Sequence, residues 1–169
     1  MPITPLHFGP GIVFKALLAG AFSFTVFALV NILVDVEPVL RVLVGADRLH
    51  AHVHTYAGAT LVAIPSAIFG RPLCERALQL WNRKLDAQLA RWLSVAPGIS
   101  PLAAWSGALL GAWSHVALDS LMHPDMTPLW PLAPGNALLG LLSMDGLHIL
   151  CIGSGIAGVV GLIARRVIR

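Results

Sequence analysis

Apolar positions along this chain gather into long runs separated by short polar or proline-bearing breaks. The first run, Ile12 to Val34, holds 23 residues interrupted only by Lys15 and a few small polar side chains. One helix of that length would cross a hydrocarbon core of about 30 Å. A fold-back at Gly20-Ala21 would instead give a hairpin with legs of roughly ten to thirteen residues. The distinction matters because His7 and Asp35 flank the run. A span parts them by about 30 Å, whereas a hairpin returns both to one face. The hairpin is the favoured reading, with Gly20 supplying backbone angles closed to other residues. Asp35-Val36-Glu37-Pro38 ends this first unit.

A second apolar helix is expected over Tyr56 to Phe69. Gly70 to Ser100 is the long polar stretch, and within it Leu78, Trp81, Leu85, Leu89 and Trp92 recur at steps of three and four. That spacing predicts one amphipathic helix lying in the membrane interface. Pro97-Gly98 and Pro101 break the chain before Leu102 to Met122, read as a span whose Gly107 and Gly111 form a close-packing face. His123 to Ser143, with four prolines and Trp130, predicts an irregular cap. The last span is Gly146 to Ala164, with a small-residue stripe of Gly153, Ala157 and Gly161. The expected fold is therefore all-α: a single membrane-embedded domain over residues 1–169 with three to four spans. The glycine-bearing faces could pack within one chain or join two copies in a homo-oligomer.

Composition agrees with that class. Of the 169 residues, 57% are hydrophobic and 11% charged, with a mean hydropathy of +0.80. Soluble domains carry roughly 25% charged residues. The net charge of +3 therefore bears on topology and does not suggest nucleic acid as a partner. Cys74 and Cys151 lie in different segments and predict no disulfide. No positively charged region precedes the first apolar run, so no cleavable signal peptide is expected. Residues 70–101 carry five Lys or Arg and the C-terminus carries Arg165, Arg166 and Arg169, whereas residues 123–143 carry none. By the positive-inside rule the long loop and C-terminus are cytoplasmic. The histidines, His7 excepted, and six of the eight acidic residues then fall on the external face of a prokaryotic plasma (inner) membrane.

The chemistry gathers around Ser114-His115-Val116-Ala117-Leu118-Asp119. His115 and Asp119 are four apart and stack on one helical face. A carboxylate in an apolar helix is costly unless compensated. A cation does that, because a neutral imidazole and a carboxylate one turn apart reach the same ion. His123 and Asp125 follow where Pro124 stops the helix and add two candidate ligands. His50 and His54 repeat the spacing of four before the Tyr56 helix, with His52 on the opposite side as an interfacial polar residue. Asp145 and His148 open the last run.

His7 after Thr4-Pro5, Asp35 closing a helix, His50-x3-His54-Thr55, and His115-x3-Asp119 with a downstream Trp130-Pro131 occur in this order. Together they resemble the membrane-bound metal-dependent hydrolases related to YdjM, grouped with the zinc-dependent phospholipase C and P1 nuclease fold. The resemblance covers His7 to His148. It implies a helical site holding two or three zinc ions, with His7, Asp35, His54, His115 and Asp119 as ligands and His50 as a sixth. Two departures stand out. Val34-Asp35-Val36-Glu37 replaces a Pro-Asp-x-Asp pattern, and Ala51 stands where the family commonly has a basic residue.

The function expected from these features is hydrolysis of a phosphoester in a membrane lipid or lipid-linked substrate. Glu37 or Asp125 would serve as general acid or base. The alternative is a non-enzymatic membrane protein that handles metal ions or protons. Against it, the polar groups cluster at one face, whereas a pathway needs them along its length.

Overall fold

The first apolar run does break. In the computed structural model, which describes residues 5–168, a short turn of 3-10 helix at Pro5–His7 leads into α1, Phe8–Leu18. A second such turn, Ala19–Ala21, then reverses the chain into α2, Phe24–Leu43. Thr4 and Arg169, used above for the resemblance and for topology, lie outside the described residues.

The turn is built differently from the expectation. Gly20 is not the residue with unusual backbone angles; Ala19 is, at φ 49° and ψ −114°. The carbonyls released there are satisfied by Lys15, whose Nζ donates to Ala19 O at 2.8 Å and Phe22 O at 2.9 Å. The lysine in the apolar run is thus a cap for the break. A left-handed φ costs a non-glycine residue on the order of 1–3 kcal/mol. Ala19→Gly is accordingly expected to raise the melting temperature. Gly20→Ala should leave it unchanged, since a Cβ there meets nothing within 4 Å. Thermal melts of the two variants in detergent check this; the reverse order would return the turn to Gly20.

Helix α2 also exceeds its expected leg. Asp35 does not close it: the helix runs 20 residues, through Pro38, to Leu43. Asn31, Asp35 and Glu37 therefore project from one rigid element. A buried α6, Pro101–Met122, packs against it. Gly107 and Gly111 make that approach possible, because a Cβ at Gly107 would run into the Ser23 carbonyl and one at Gly111 would lie 3.0 Å from the Phe27 carbonyl. Their close-packing face thus works within one chain. The core they border contains Val26, Val30, Val34, Ala108, Ala112 and Val116.

α3, Tyr56–Pro65, continues through a π-helical turn at Ser66–Gly70 into α4, Arg71–Lys84. The single amphipathic helix expected over the polar stretch is instead two pieces. Leu85 is extended, and Asp86 caps a separate α5, Ala87–Leu93, by accepting from Gln88 N and Leu89 N. The apolar three-four pattern runs on across this break, which hides it.

α7, Met144–Val167, lies alongside α1 and runs parallel to it. Gly9 meets Cys151 and Gly155, Ile12 meets Gly158, and Ala16 meets Gly161. Of the small stripe expected on this helix, Gly161 joins the contact while Gly153 faces open space. On its outer side Ile149, Ile152, Ile156, Val160 and Ile163 are exposed.

Among the described residues, two helical stretches are long and apolar enough to cross a membrane, Tyr56–Lys84 and Met144–Val167, rather than the expected three to four. α6, expected as a span from its apolar run, is a packed central helix: half of its residues, including Ala104, Ala108, Ala112 and Val116, are buried in the protein. Its small and branched apolar positions face other helices, while Leu102, Trp105 and Trp113 stay exposed.

Candidate metal centre

The end of the bundle that holds His7 also receives the middle of α2, the start of α3 and the C-terminal half of α6. Each brings its polar side chains there for a local reason. His7 ends the turn before α1 and is 4% exposed. Thr55 caps α3 by accepting from Gly58 N at 2.9 Å, which fixes His54 just before the helix. Gly58 must lack a side chain because the His52 carbonyl sits against it. His115 and Asp119 lie one turn apart on the buried face of α6.

Asp119 is the hub. Its Oδ1 is 3.2 Å from His7 Nε2; its Oδ2 is 3.1 Å from His115 Nε2 and 3.6 Å from His54 Nε2. Asp35 Oδ1 stands 3.3 Å from the same His115 nitrogen. One ligand atom each from Asp35, His54, His115 and Asp119 lies within 4.8 Å of all the others. Yet His54 Nε2 and His115 Nε2 are buried without a hydrogen-bond partner, as is His7 Nδ1. Short separations without a hydrogen bond leave His54 Nε2 and His115 Nε2 free to share a cation with the Asp35 and Asp119 oxygens. Ligand atoms held about 2.0–2.2 Å from one tetrahedral ion are themselves about 3.3–3.6 Å apart. The donor set is one that could hold a metal ion.

The far nitrogens are held as such a site requires. Asn31 Oδ1 lies 3.1 Å from His115 Nδ1, and the Asn31 amide in turn donates to the Phe27 carbonyl at 2.8 Å. Glu37 Oε2 lies 3.0 Å from His54 Nδ1. The same carboxylate accepts from the amides of Ala51, His52, Val53 and His54, so it fixes the whole 51–54 segment. Burial alone would raise the Glu37 pKa, but the His54 ring and the Val53 and Ala51 amides more than reverse that and hold it at about 2.

His50, His123 and Asp125 form a second group with ligand atoms within 4.8 Å of one another. His50 Nδ1 is 2.9 Å from Asp125 Oδ1, and the His50 ring stacks on His123 with centroids 4.1 Å apart. It also meets His54 at 4.8 Å, so the second group adjoins the first. Burial would raise the Asp125 pKa, but hydrogen bonds from the His50 amide and ring and the Leu49 amide bring it below the ordinary range. Burial, with His50 beside it, pushes His123 down and favours the neutral ring that a metal needs.

All nine residues expected at the site thus gather at this end. His52 stays exposed, its ring 5.4 Å from Trp130, and Asp145 and His148 belong to neither group. The 123–143 segment closes over the site without regular helix: Tyr56 N donates to Pro128 O, and Asn136 Nδ2 donates to Ser120 O. Asn31 was not singled out from sequence. Its spacing of four from Asp35 on the same helix was the available signal. Comparison with protein-family models, curated proteins and solved structures gave no match. What the fold and site define, among the described residues, is an all-helical protein with two apolar helices of membrane-crossing length and His/Asp groups that could hold a metal ion.

Proposed function

We propose that this protein is a membrane-bound metal-dependent hydrolase of the YdjM-like kind its motifs resemble, acting on a phosphoester in a lipid or lipid-linked molecule. The observation that carries the reading is the pair of buried, partnerless nitrogens, His54 Nε2 and His115 Nε2, facing the Asp35 and Asp119 carboxylates. Zinc ions bound there would lower the pKa of water towards 7 and offset charge developing on a phosphoryl oxygen. Asn31 and Glu37 set the ring orientation of His115 and His54. Glu37 already accepts five hydrogen bonds and Asp125 is engaged by His50, so we assign both to positioning rather than to proton transfer. The lipid-borne substrate follows from the exposed apolar faces of α7 and the neighbouring helices, which would set the site beside a bilayer.

The test is hydrolysis by the protein reconstituted in vesicles of phospholipids and lipid pyrophosphates, followed by release of the phosphorylated headgroup or of phosphate. Activity should disappear with a chelator and return with zinc. Metal-loaded protein that releases nothing from such a panel, yet passes zinc or protons across the vesicle wall, would favour the metal- or proton-handling alternative.

The orientation has its own test. Both native cysteines are buried, which leaves a low labelling background. A cysteine at Arg83 should be shielded from an impermeant external thiol reagent and one at Ala133 should label. Reversed labelling would place the metal groups on the cytoplasmic side.

A further inference from the structure

The end of the bundle away from the metal groups contains an apolar cleft of about 580 Å³, lined by Ile12, Phe22, Phe24, Leu78, Ile99 and Leu162 among others. Its volume lies within the ~300–1,000 Å³ typical of small-molecule sites. Lys15, Gly20 and Leu162 also line a neighbouring cleft of about 440 Å³, to which Arg165 and Arg166 contribute. The two clefts therefore meet: one is apolar, the other bears three cations.

Among the described residues, the hydrogen-bond acceptors of those cations are carbonyls. Lys15 donates to Ala19 O and Phe22 O. Arg165 Nη2 reaches Leu17 O at 3.4 Å. Arg166 donates to Trp92 O at 2.8 Å and to Arg91 O, with its guanidinium 4.9 Å from the centre of the Trp92 ring. Among the described residues, no carboxylate is paired with any of the three; the arginine–carboxylate bridge seen is Arg71–Glu75. Three cations beside an apolar cleft suit a ligand that is anionic at one end and hydrocarbon at the other.

We propose that this double cleft binds one anionic phospholipid, with an acyl chain in the apolar cleft and the phosphate against Lys15, Arg165 and Arg166. The position supports a bilayer lipid over a soluble anion. Val159 and Leu162 line the apolar cleft from α7, one of the two helices of membrane-crossing length. The lipid is not the substrate of the metal groups. Those lie near the other end of α7, and the 20 helical steps from Asp145 to Arg165 span about 30 Å. Juxtamembrane Lys and Arg attract anionic headgroups of the cytoplasmic leaflet. The proposal rests on the membrane reading, not on hydrolysis.

Native mass spectrometry of protein purified with equal amounts of phosphatidylglycerol and phosphatidylcholine tests it. The wild type should retain phosphatidylglycerol preferentially. The preference should fall about fivefold for each arginine removed in Arg165→Ala and Arg166→Ala. Arg165→Lys/Arg166→Lys should keep it. Gly20→Trp, which places a ring in the open space at the junction, should lower retention of both lipids. Equal retention by the wild type, or a preference unchanged in the double alanine variant, would overturn the proposal. Bound metal in the same samples reports that the distant end is intact, and an inactive but lipid-selective protein would count against the hydrolase reading alone.

Discussion

Asp119→Ala should strip bound metal from the protein and lower its thermal stability by on the order of 3–5 kcal/mol, the range for breaking one side of a buried ionic contact. The size follows from its position as the one carboxylate within 3.6 Å of His7, His54 and His115. Its side chain is 5% exposed, so water does not replace what is lost. His115→Ala should also lose metal, because it frees both Asp35 and Asp119 from their shared nitrogen. Asp119→Asn separates charge from volume: it should keep the packing but still lose the ion. Elemental analysis and thermal melts of the three variants give the readout. Full metal content in Asp119→Ala and His115→Ala would mean that these residues bind no ion.

Glu37→Ala should be the next most damaging change. It removes the acceptor for four consecutive amides and for the His54 ring at once. The 51–54 segment would lose its attachment to α2, and His54 would lose its orientation. Loss of a residue that orients a ligand typically costs 10–100-fold in metal affinity, and a loss in that range is expected here. Glu37→Gln should fall between, since its amide can accept from the backbone but carries no charge for His54. Titration with zinc against a competing chelator measures this. If Glu37→Ala bound zinc with unchanged affinity while activity vanished, Glu37 would be a proton-transfer residue and not a positioning one.

The side chains that gather at this end were legible in the sequence, and the contacts that hold them there were not. His115 and Asp119 are a local pattern, and the requirement that His7 and Asp35 share a site was enough to favour the hairpin over a span. The turn falls where the sequence places it, at Ala19–Ala21, but the unusual backbone angles are those of Ala19 and not of Gly20, the residue type that usually supplies them. What closes it is Lys15, reaching four and seven residues ahead, and no local pattern announces that. Glu37 and His54 are 17 positions apart, and Asn31 and His115 are 84 apart, so their pairing appears only once α2 packs on α3 and α6. α6 shows the limit of hydropathy: a charge-poor helix reads the same whether lipid or protein surrounds it. Its Ala and Gly content was the better guide, since small residues let α2 come close.

The central claim is that the buried His/Asp groups hold metal. Elemental analysis of tag-free protein, purified without chelator or added metal, tests it most directly. The account predicts divalent metal, zinc foremost, at about one to two ions per chain, falling to background in Asp119→Ala. Folded wild-type protein with no bound metal, and no uptake when zinc is supplied, would contradict it.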